Sequence, residues 1–175
     1  MRLFVGGKRQ GQDEYCLKFI ENNNLGQPVM VEPDMFYKLL TSYFHEDDSR
    51  IVINDVNVAS NNAINFYNGF CKMYPEKNIV LNKFHIVMEK ISHESKFCDE
   101  AFLDYTKNFF AKWLDELNNE KNVICVANDI SSGIIPLEKS DRFYRDLNGM
   151  ILGEVAQKSD EVIRFLCGIP QKIKG

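Results

Sequence analysis

The chain has 175 residues, enough to bury a proper core and within the usual range for one domain. Its 45% apolar and 26% charged content is ordinary globular usage, and a net charge of -4 gives no footprint for nucleic acid or an anionic membrane. No stretch approaches the roughly 20 apolar residues of a membrane span, and Met1-Arg2-Leu3-Phe4-Val5-Gly6 meets charge too soon for a signal peptide. The five cysteines are scattered without a C-x-x-C pair, which removes a zinc knuckle and a thioredoxin-like motif and fits a reducing cytoplasm.

In chain order, Leu3-Phe4-Val5 predicts a short strand stopped by Gly6-Gly7. Apolar residues at Tyr15, Cys16, Phe19 and Ile20 recur at helical spacing over residues 13–22. A brief extended segment follows at 28–33, and Pro33 opens a second helix running to about residue 44. Residues 50–56 read as a buried parallel strand whose polar end is Asn54-Asp55. Helical patterns follow over 59–73, 80–91 and 99–117, the last carrying Phe102, Tyr105, Phe109, Trp113 and Leu117. Residues 122–129 read as a strand ending in Asn128-Asp129. A helix over 140–159 and a final strand over 161–167 complete the series. This alternation predicts one α/β domain over residues 1–175, with an open, mostly parallel sheet covered by helices on both faces.

Ligands in such sheets bind beyond the C-terminal strand ends. After the first strand, Gly6-Gly7-Lys8-Arg9-Gln10-Gly11-Gln12-Asp13 has the outline G-x-x-x-x-G followed by a helix, the frame of a phosphate-binding P-loop. Such a loop works because backbone N–H groups and a helix N-terminus converge on phosphate oxygens. The next two positions call for a lysine reaching the β- and γ-phosphates and a hydroxyl on Mg²⁺. Here they are Gln12 and Asp13. One unit-charge pair at about 4–5 Å and an effective dielectric near 20 is worth roughly 3–4 kcal/mol, so losing a cation and gaining an anion is adverse. Two alternatives stand beside this: Lys8 and Arg9 fold back over the phosphates, or Gly6-Gly7 only makes a tight turn and Asp13 caps the next helix.

Further along, Asn128-Asp129-Ile130-Ser131-Ser132-Gly133-Ile134-Ile135-Pro136, then Arg142-Phe143-Tyr144-Arg145-Asp146-Leu147-Asn148-Gly149, resemble the signature N-E-V-G-x-G-I-V-P, a short spacer and R-x-F-R-D-x-x-G. The ending Cys167-Gly168-Ile169-Pro170-Gln171-Lys172-Ile173-Lys174 resembles a G-I-P-x-K-I-K tail. These are marks of the bifunctional adenosylcobinamide kinase/adenosylcobinamide-phosphate guanylyltransferase family of cobalamin biosynthesis. The resemblance spans most of the chain and implies a P-loop NTPase-like fold, a trimer, and ATP or GTP with Mg²⁺ as cofactors. It also implies phosphorylation of a corrinoid side chain, then GMP transfer through a guanylylated histidine.

Several positions depart from that pattern. The P-loop lysine and hydroxyl match Gln12 and Asp13. The carboxylate and threonine after the central strand match Asn54 and Asn57, with Asp55 one residue out of place. Asn62 matches an asparagine of the following helix, which leaves Asp55, Asn62, Asn128 and Asp129 as candidates for a metal or second site. The segment carrying the guanylylated histidine is missing, and residues 1–44 contain no histidine. His45, His85 and His93 read as surface or packing residues. The expectation is a divergent relative with lost or strongly reduced catalysis and at most residual nucleotide or corrinoid binding. The alternative is a kinase still active through an atypical loop.

Overall fold

A computed structural model describes residues 1–43, 56–95, 98–131 and 136–175. Short runs of consecutive apolar residues build five parallel strands, as a sheet covered on both faces requires: β1 (Arg2–Gly6), β2 (Val29–Val31), β3 (Asn78–Leu81), β4 (Asn122–Asn128) and β5 (Glu161–Leu166). A sixth strand, β6 (Ile169–Lys174), runs antiparallel to β5, and the order across the sheet is β2-β3-β4-β1-β5-β6. The turn between β5 and β6 is only Cys167-Gly168, with φ of 50° and 80°. Two consecutive left-handed residues match the right-handed twist of a hairpin, and glycine takes the second without strain.

Six helices accompany the sheet: α1 (Gln12–Asn22), α2 (Pro33–Thr41), α3 (Val56–Met73), α4 (His85–Glu94), α5 (Glu100–Glu120) and α6 (Lys139–Lys158). Side chains alternate across each strand, so the sheet feeds two cores. On one face Phe4, Val80, Ile124, Val126, Ile163 and Phe165 pack under Cys16 and Ile20 of α1. On the other, Leu3, Ile79, Leu81, Val123, Cys125 and Val162 join the aromatic-rich faces of α2 to α6. Both faces are thus covered, as the alternation predicted. No helix among the described residues is long and apolar enough to cross a membrane.

Two expectations need correction. The helix predicted over 80–91 begins only at His85; Asn78–Leu81 is strand β3, bonded between β2 and β4. Four apolar-rich residues directly before an amphipathic helix carry no period of their own, so pattern alone merges them into it. The strand predicted over 50–56 lies outside the described residues except at Val56, which opens α3 instead. In the sheet the place beside β4 belongs to β3, so the strand end next to β4 delivers Asn82 to the C-terminal edge of the parallel strands.

Candidate functional site

The parallel strands end along one edge, bringing together the loop after β1, Asn82 after β3, and Asn128-Asp129 after β4. Gly6 closes this edge against β5: a β-carbon there would stand 2.7 Å from Phe165 Cβ. The loop then reverses through two left-handed residues, Arg9 at φ 63° and Gly11 at φ 87°. Gly11 is also the residue before α1, and no side chain caps that helix end. Asp13 therefore does not cap it. It lies exposed in the first turn, where its charge suits the helix dipole but opposes an incoming anion.

Gln12 is 4% exposed, pointing into the floor of the loop. Its Nε2 faces three acceptors: Asn128 Oδ1 at 2.6 Å, Gly7 O at 3.1 Å and Gly6 O at 3.5 Å. An amide has two N–H groups for these three oxygens, and the buried Gln12 Oε1 has no hydrogen-bond partner among the described residues. Three oxygens thus converge on one neutral carboxamide nitrogen. Gln10 closes the loop from the other side, its Oε1 accepting from the Gly7 N–H at 3.2 Å. Lys8 and Arg9 stand exposed on the outside.

Asn128 is the hub beneath the loop. Its carbonyl accepts from Nδ2 of the fully buried Asn148 at 3.1 Å, and its N–H donates to His85 Nδ1 at 3.1 Å. Its Nδ2 also lies 2.9 Å from His85 Nε2. A neutral imidazole has one acceptor nitrogen, so it satisfies only one of two such donors, and a protonated ring satisfies neither. Burial, with the charge of Lys83 adding to it, pushes the His85 pKa down to about 4. The ring is therefore neutral at pH 7. Sequence reasoning placed His85 on an apolar helix face; the signal it lacked was strand β3, which ends four residues earlier.

Asp129 extends the edge: its N–H donates to Gly6 O at 2.8 Å. Its Oδ1 accepts from the N–H and hydroxyl of Ser131, and Arg164 lies 3.8 Å from Oδ2. The following loop is strapped to α6 by arginines, Arg145 donating to Ser131 O and Arg142 to the carbonyls of Pro136 and Leu137. Asp146 is exposed. Residues 132–135 of the signature lie outside the described residues.

Of the remaining candidates, Asn62 donates to Tyr105 Oη at 2.9 Å, bridging α3 to α5. Asp55 lies outside the described residues, as do Asn54 and His45. Asn82 donates to the Glu32 carboxylate, at 3.0 Å from Oε1. His93 contacts Asp141 at 2.9 Å. Among the described residues no group of three histidine, cysteine or carboxylate side chains is placed to hold a metal ion.

No curated protein matches the chain. The family described as cobinamide kinase / cobinamide phosphate guanyltransferase matches residues 38–173, a span that starts after the glycine loop and takes in β3, β4, α6 and the β5–β6 hairpin. Since that span is most of the chain and carries the strand ends and the C-terminal hairpin described above, the chain belongs to the cobinamide kinase / cobinamide phosphate guanyltransferase family.

Proposed function

We propose that this chain is a divergent member of its family in which kinase and guanylyl-transfer catalysis is lost or strongly reduced, leaving at most weak nucleotide or corrinoid binding. The observation that carries this reading is Gln12, buried where the loop needs a cation and held by Gly6 O, Gly7 O and Asn128. Phosphoryl transfer depends almost wholly on positioning and electrostatic stabilisation, so a neutral group there removes a large part of the rate. The other members of the set also fit a magnesium triphosphate poorly. Asp13 replaces the hydroxyl, Asn82 ends β3 without a charge, and Asp129 is engaged by Ser131 and Arg164.

Among the described residues guanylyl transfer also lacks a free histidine nucleophile, His93 being paired with Asp141. His85 is the described histidine at the strand ends, and both of its ring nitrogens face Asn128. The protein would then act as a binding or assembly component in the cytoplasm, as a homotrimer by family likeness. A second reading, an active kinase phosphorylating adenosylcobinamide with ATP or GTP, draws on Lys8 and Arg9, exposed cations within the loop.

Calorimetric titration with ATP and GTP plus Mg²⁺, followed by turnover assays on adenosylcobinamide, tests this. The expected result is millimolar or weaker nucleotide affinity and no phosphorylated product. Micromolar affinity with turnover that disappears in Lys8→Ala or Arg9→Ala would establish the second reading instead.

A further inference from the structure

The loop after β1 has its own occupant. Gln10 folds back so that its carboxamide lies across Gly6 and Gly7, and Oε1 accepts the Gly7 N–H at 3.2 Å. The fit is close: a β-carbon on Gly7 would stand 3.1 Å from Gln10 Nε2 and 3.3 Å from Cδ, and one on Gly6 would stand 3.3 Å from Oε1. A P-loop frame binds phosphate by turning backbone N–H groups toward ligand oxygens. Here a side-chain oxygen already takes one of them.

We propose that Gln10 is an internal latch: its carboxamide oxygen occupies the loop in place of a ligand oxyanion and must leave before phosphate enters. This inference deepens the proposed function and rests on it, adding a residue that competes with the ligand to the missing cation at Gln12. The two carboxamides work from opposite sides. Gln12 ties the loop carbonyls to Asn128 from beneath, while Gln10 takes the Gly7 amide. Arg9, at φ 63° between the two residues, turns the chain so that Gln10 reaches back three residues.

Two readouts test the latch, one of them independent of any ligand. Amide hydrogen exchange at Gly7, followed by NMR on the full chain, should speed up at least tenfold in Gln10→Ala relative to distant amides. Titration with inorganic phosphate and with GTP should show about a fivefold gain in affinity in Gln10→Ala, the effect of removing one competing hydrogen bond. Gln10→Glu puts a carboxylate on the same N–H, so it should slow Gly7 exchange and weaken phosphate binding below wild type. If Gln10→Ala folds poorly, Gln10→Ser supplies the same comparison. Unchanged Gly7 exchange, or phosphate and GTP affinity in Gln10→Ala no better than wild type, overturns the latch. Failure of the proposed function shows itself differently, as tight binding and turnover in the wild-type chain.

Discussion

At the residue scale, Gln12 and Asp13 were legible only as the two residues that follow the G-x-x-x-x-G spacing. Their geometry was not. Burial turns Gln12 from a missing charge into a neutral brace whose amide faces Gly6 O, Gly7 O and Asn128 Oδ1. Those three oxygens match the three donors of an ammonium. Gln12→Lys should therefore fold with stability within about 1 kcal/mol of wild type. It should also raise GTP affinity roughly tenfold, a screened fraction of one unit-charge interaction. Chemical denaturation and calorimetry check the two halves separately. A variant that unfolds readily would mean that the seat rejects a cation.

Elements show where sequence patterns carry and where they fail. The apolar stripe over 99–117 predicted α5, and the structure wraps its Trp113 in four rings from three other segments: Phe36 at 5.2 Å, Phe66 at 5.6 Å, Phe70 at 5.5 Å and Phe84 at 6.3 Å. Trp113 Nε1 is buried with no hydrogen-bond partner among the described residues, so the side chain serves as a shape. Trp113→Ala should cost about 3–5 kcal/mol, while Trp113→Phe should cost less than half as much, since it also removes the unsatisfied donor. Urea unfolding of both variants checks this; equal losses would mean that the indole N–H does contribute. Strand β3, in contrast, was misread as the start of α4. Its four residues become a strand through bonding to β2 and β4 on either side, a tertiary event that no local window contains.

For the whole molecule, the strand ends are where pH reaches stability. His85 is held well below its ordinary 6.5, near 4, by burial and by Lys83. Between those values the unfolded chain takes up a proton that the folded chain refuses. Stability is therefore fully present above pH 6.5 and declines as pH falls toward 4, by about 2 kcal/mol after discounting the ring's partial access to water. His85→Gln should flatten that part of the profile in denaturant titrations run from pH 4 to 7.5. An unchanged slope would place the proton uptake on another group.

The amino-acid sequence by itself determined the alternation of strands and helices, the glycine spacing followed by Gln12 and Asp13, and the family likeness carried by the C-terminal signature. Each of these lives in short spacings along the chain. Only the tertiary structure decided that β3 lies beside β4, that Asn82 and His85 reach the C-terminal ends of the strands, and that Gln10 and Gln12 both bond to the loop. Parallel strands pair through long connections, so residues far apart in sequence, such as Gln12 and Asn128, meet only once the sheet has assembled.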